Sequence, residues 1–171
     1  MTDEERLLRS LRELGYVEGE RSVWGRPAIR RVDPGHEPQR LMDASALQRR
    51  FVAYAHGTPS TGDDLCASWV EQAFSRLGFG VVLGNAAELC DAYCHYTDLA
   101  DLKVGMIVAV TRHPYSLDGR RHGHVGLYAG DETIMDSVAG EVRKVPLALW
   151  LSTYGIMEEP RWGWLGSMGL Q

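Results

Sequence analysis

Three things are scarce in this 171-residue chain, and each scarcity removes a class of protein. No run of about eighteen apolar residues occurs, so no segment reads as a membrane span. Positive charge is in deficit: 18 Lys and Arg against 23 Asp and Glu give a net charge of −5. The basic clusters "RPAIRR" and "GRR" are too short to form a stripe, which argues against nucleic acid as a partner. Cysteine is limited to Cys66, Cys90 and Cys94, an odd count that makes no disulfide framework and leaves at least one thiol over. The opening "MTDEERLLRS" is acidic where a secretory signal would have a basic start and an apolar run. Localisation therefore stays open between the cytoplasm, another route of export and a trimmed chain.

What is present reads as helices first and strands afterwards. Thr2 and Glu5 form a capping pair ahead of a Leu7, Leu8, Leu11, Leu14 stripe that Gly15 can end. Residues 16–42 carry Gly and Pro at intervals and read as irregular, so residues 1–44 form a helix plus an arm. A main domain spans 45–171. In it, "SALQRRFVAYAHG" is a helix boxed by Ser45 and Gln48, "DDLCASWVEQAFSRLG" a helix with Asp63 at its cap, and "GNAAELCDAYCHYTDL" one boxed by Asn85 and Glu88. Then the period changes. "KVGMIVAVTR" is a buried strand, "HPYSLDGRRHG" a polar loop, and "HVGLYAG" and "TIMDSV" two strands joined around "GDE". "VPLALWLSTYG" reads as a short helix and "PRWGWLG" as a closing strand. Helices followed by an antiparallel sheet make an α+β protein.

Three residues carry chemistry. Cys66 falls in the first turn of its helix, where unpaired N–H groups and the helix dipole favour a thiolate and can receive an oxyanion. Asp63 and Asp64 oppose that charge. Cys66 also shares a face with Val70, Ala73 and Leu77, so core packing explains it equally well. His124 opens a strand on which His124, Gly126 and Tyr128 share one face and Val125, Leu127 and Ala129 the other. Gly126 leaves the backbone beside the imidazole open to close approach. If the "GDE" loop counts three residues, Asp136 lies on His124's face of the neighbouring strand and can orient the ring; a two-residue loop would put them on opposite faces. His122 is a rival base.

"DDLCASWV", "LKVGMIVAV" and "GHVGLYAGDETIMDSV", in that order, resemble the NlpC-type papain-fold peptidases of bacterial cell-wall turnover, over roughly residues 45–165. The resemblance implies a papain-like fold with N-terminal helices on a small antiparallel sheet. It implies a thiol protease with Cys66 as nucleophile, His124 as base and Asp136 as orienting group, acting on peptidoglycan stem peptides or their muropeptide fragments at a γ-D-glutamyl–diamino acid bond. Substrate contacts are expected from Tyr54, Asp64, Trp69, His122, Gly126 and Tyr128. Many family members read Asp-Cys-Ser-Gly where this chain has "DLCAS", and the Cys66-x-x-Trp69 spacing is closer to the related CHAP amidases. A CHAP-like amidase, an acyl or peptidyl transferase, and a non-catalytic wall-binding or interaction module therefore remain alternatives.

No cofactor is expected. Cys90, Cys94 and His95 raise a metal reading, but Cys90 and Cys94 are the only pair and His95 points about a hundred degrees away on an ideal helix. Helix core accounts for them better. Trp162 and Trp164 read as sheet packing.

Overall fold

The computed structural model describes residues 6, 16–21, 27–31, 43–62 and 65–170. Among them are five α-helices and seven strands. The expected Thr2–Gly15 helix lies, apart from Arg6, outside the described residues. Residues 16–42 are not irregular throughout: β1 (Tyr16–Arg21) and β2 (Pro27–Arg31) pair as an antiparallel hairpin. Gly19 and Pro27 read as breakers, but both are accommodated. The register shifts between Glu18 and Arg21, the stretch holding Gly19, and Pro27 stands first in its strand.

Two helices start where their polar residues specify. In α1 (Ala46–His56) and α3 (Ala86–Tyr93), the Ser45/Gln48 and Asn85/Glu88 capping boxes are both closed. Between them, α2 runs from Cys66 to Ser75. Its N-cap is Leu65, whose side chain makes no capping bond, rather than Asp63; Asp63 and Asp64 lie outside the described residues. Two other contacts hold the start of α2. The indole N–H of Trp69 donates to the Thr58 carbonyl at 3.0 Å, and Ser60 and Ser137 share a hydroxyl bond of 2.7 Å.

The main sheet runs β6-β5-β4-β3-β7, antiparallel throughout, with β3 Ile107–Val110, β4 His124–Gly130, β5 Thr133–Val138, β6 Glu141–Pro146 and β7 Arg161–Gly163. Alternation along the strands sorts the core into two layers. Ile107, Val125, Leu127 and Met135 pack with Phe51, Trp69, Phe74 and Leu89 of α1–α3. Val108, Val110, Tyr128 and Ile134 pack on the other face with Trp150 and Tyr154 of α5 (Leu147–Tyr154). Each fully buried large side chain contributes about 1.5–3 kcal/mol by leaving water, so both layers are needed to hold the sheet.

Two sequence expectations need correction. "HPYSLDGRRHG" is not all loop: Ser116 accepts from the Gly119 N–H and caps a short helix, α4 (Leu117–His122). The β4–β5 turn has two residues, not three. Asp131 and Glu132 occupy it at φ 55° and 52°, as a type I′ turn requires. Such a turn alone would set His124 and Asp136 on opposite faces. A register shift between Tyr128 and Gly130 adds one residue to β4 and reverses that parity. Beyond it, Leu127 pairs with Met135, and the same register sets Gly126 opposite Asp136, with His124 diagonal to it.

Candidate active site

His124 stands at the first position of β4, at the end of the sheet where α2 begins. It is buried, and its Nε2 lies 2.7 Å from Asp136 Oδ2. Cys66 lines the same cleft as His124, and the charge at Cys66 acts on the ring. With Nε2 engaged by Asp136, Nδ1 is the nitrogen left to face the sulfur. Cys66 is the first residue of α2, so its sulfur lies at the positive end of the helix dipole.

Asp136 is wholly buried and saturated with donors. Besides His124, Oδ2 accepts from Arg143 Nη2 at 2.6 Å and from Trp150 Nε1 at 2.9 Å, while Oδ1 accepts from Arg143 Nε at 2.8 Å. Arg143 also donates to the Tyr154 hydroxyl at 2.8 Å. Burial alone would raise the Asp136 carboxyl; Arg143 first, then His124, outweigh it and hold the group well below the usual carboxylate range. Because Asp136 is ionised, His124 Nε2 carries the proton of their hydrogen bond.

Burial would likewise lower the His124 imidazole, but the charge at Cys66, and then Asp136, push it up to about 9. An imidazolium here also has aromatic faces about it. Trp150 stacks at 5.7 Å between ring centroids, and Tyr154 lies tilted at 4.4 Å. The two rings and Asp136 hold the imidazole in one orientation. Tyr154 itself is pushed up to about 12, by burial and by the charge of Asp136, and so stays a neutral phenol.

Cys66 and His124 open into a cleft of about 600 Å³, whose wall includes His113, Ser137, Arg143 and Tyr154. A thiol at a helix mouth, an imidazole in the same cleft and a carboxylate behind the imidazole are the parts that attack on a carbonyl would need. Space beside them for a ligand completes the arrangement.

Of the other residues expected at the site, those described do not line the cleft. Trp69 is fully buried among α1–α3, with its indole N–H spent on Thr58. Tyr54 lies on α1 beneath the Arg76 guanidinium, 4.6 Å from ring centroid to charge. Tyr128 is sealed in the second core layer. The space beside Gly126 is taken by β5: a Cβ there would lie 2.6 Å from Ile134 Cγ2 and 2.9 Å from the Met135 carbonyl. Gly126 thus serves the close approach of two strands. His122 is exposed at the end of α4, 3.2 Å from Asn85 and 3.7 Å from Asp118. Asp64 lies outside the described residues. Cys90 and Cys94 are buried in the first core layer.

Nothing in their local composition marks Arg143, Trp150 or Tyr154, and His113, which reads as a loop histidine with no evident partner, stands instead in the cleft wall. A signal for Arg143 exists: Ala139 and Gly140, at φ 51° and 79°, make a two-residue turn. Counting outward from it sets Arg143 opposite Asp136, as observed.

No family model matches the chain, and neither curated proteins nor solved structures give a match.

Proposed function

We propose that this protein is a cysteine hydrolase of the papain type, acting by acyl transfer through Cys66. More particularly, the order of its motifs makes it an NlpC-type endopeptidase of peptidoglycan stem peptides, cutting a γ-D-glutamyl–diamino acid bond. The observation that carries the reading is the buried His124–Asp136 hydrogen bond at the wall of a cleft that Cys66 also lines from the first position of α2.

The chemistry follows from that arrangement. With the Cys66 proton already held by the His124 imidazolium, Sγ attacks the amide carbon, forming the C–S bond as the carbonyl electrons move onto oxygen. The backbone N–H groups of the first turn of α2, which have no partner within the helix, face developing negative charge. On collapse, the C–N bond breaks and the imidazolium passes its proton to the departing amine. Water, deprotonated by His124, then releases the acyl group from sulfur. Asp136 stays ionised throughout, fixing the ring's tautomer and balancing its charge.

Digestion of purified peptidoglycan by wild type and Cys66→Ser, with fragments identified by mass spectrometry, tests the proposal. Wild type should release fragments with a new diamino acid amine, and Cys66→Ser should release none. Equal fragmentation by both would remove Cys66 from the chemistry. Cleavage at another amide would keep the nucleophile and change the substrate bond.

A further inference from the structure

The cleft holds a second imidazole. His113 lies on the segment between β3 and α4, its ring edge-on to His124 at 6.0 Å and to Tyr154 at 5.1 Å between centroids. Its backbone N–H donates to the Gly119 carbonyl at 3.0 Å. Its Nδ1 accepts the Tyr115 backbone N–H at 3.2 Å. That bond fixes the tautomer: a nitrogen that accepts an N–H carries no proton, so the neutral ring is protonated at Nε2. Nε2–H has no partner among the described residues and is not one of their enclosed, unsatisfied polar atoms, while His113 forms part of the cleft wall. It is an unpaired donor on a residue of the cleft wall.

Two features hold the donor in place and uncharged. Gly119 abuts the ring so closely that a Cβ there would fall 2.1 Å from His113 Cε1 and 2.3 Å from Nε2, so the α4 backbone backs the imidazole directly and only glycine leaves room beside the donor. Burial, and then the charge of His124, lower His113 to about 4, against a smaller opposing effect of Asp118. The two histidines of the cleft thus divide the labour: His124 holds a proton for transfer, and His113 presents one for hydrogen bonding only.

We infer that His113 donates its Nε2–H to the acyl oxygen of the substrate attacked by Cys66, completing with the backbone N–H groups at the start of α2 the site that receives the oxyanion. The inference rests on the proposed acyl-transfer chemistry. As Sγ bonds to the carbonyl carbon, the electron pair shifts to oxygen and strengthens the His113 hydrogen bond. No proton leaves His113, and the pair returns when the leaving group departs. A neutral donor gives this stabilisation without a second cation beside the His124 imidazolium.

Two reactions of the same sulfur separate this role from a structural one. Hydrolysis of a p-nitrophenyl ester passes through an oxyanion, whereas alkylation of Cys66 by iodoacetamide does not. His113→Phe keeps an aromatic ring and removes the donor; His113→Gln keeps an N–H donor. In the full chain, His113→Phe should lose roughly 10²–10³-fold in ester kcat, with alkylation of Cys66 at about the wild-type rate, and His113→Gln should recover part of the loss. Ester turnover in His113→Phe equal to wild type overturns the inference. So does a parallel fall of turnover and alkylation in both variants, which marks a structural residue. A wild type inert to ester and muropeptides, with Cys66 alkylated no faster than a free thiol, overturns the proposed function and the inference together.

Discussion

At the scale of single residues, Asp136 decides how the site behaves. Four hydrogen bonds converge on its carboxylate, and two of them come from one guanidinium. Asp136→Asn removes the charge that stabilises the His124 imidazolium and places an NH₂ where donors converge. The expected loss is roughly 10²–10⁴-fold in kcat/KM. Chemical denaturation should also show a loss of about 3–5 kcal/mol, because Arg143 is left buried without its counter-charge. The His124 proton can be followed directly. By NMR the imidazole should titrate near 9 in wild type and lower in Cys66→Ala, since the charge at Cys66 is the largest influence raising it. An unchanged titration would contradict the electrostatic effect of Cys66 on the ring.

The same shifts set the pH dependence of stability. His124 is raised from its ordinary value of ~6.5 to about 9, so the folded state holds its proton more tightly than the unfolded chain. Its contribution is complete below ~6.5 and is lost as pH rises through about 9. Asp136 is lowered, so its contribution is present above the unfolded value of ~3.9 and is lost as pH falls below it. Melting temperatures should therefore decline on the alkaline side, and His124→Gln should flatten that limb. A wild-type melting temperature that climbs through the alkaline range would oppose this account.

At the scale of elements, the β4–β5 hairpin sets which side chains meet. Its turn was legible in "GDE", and so were the strands on either side, because hydrophobic alternation runs to both ends. The extra residue between Tyr128 and Gly130 was not legible. A register shift is chosen by the pairing of two whole strands and by the burial of Ile134 and Met135, which no local composition marks. The sequence thus points to the right face for Asp136 through the wrong loop length. β6 went unread because "EVRKVP" has little apolar character, and with it went Arg143. Capping boxes at Ser45 and Asn85 were readable since both partners lie three residues apart in the chain. Gly126 and Gly123 give the elements a direct test. A Cβ on Gly126 meets Ile134 at 2.6 Å, and one on Gly123, at φ 72°, meets the Val110 carbonyl at 2.0 Å. Gly126→Ala and Gly123→Ala should each lose about 1–3 kcal/mol of stability or more, read by thermal melting; unchanged melting would contradict the close strand approach.

At the scale of the whole molecule, the site lies where the two core layers meet at one end of the sheet. Cys66 comes with α2 from the first layer, and the aromatic rings around the imidazole come with α5 from the second. This division predicts a difference between two large core residues. Phe51→Leu, in α1 and not part of the cleft wall, should lower stability by about 1 kcal/mol and leave kcat of the folded fraction unchanged. Trp150→Phe takes a donor from Asp136, so it should lower kcat as well as stability, as steady-state assays paired with melts would show.

The central claim is that His124 activates Cys66. Its most direct measurement is the rate of Cys66 alkylation by iodoacetamide at about pH 7 in wild type, His124→Gln and a small free thiol. The account predicts that wild type reacts at least ~10-fold faster than either. Wild type reacting no faster than His124→Gln would contradict it.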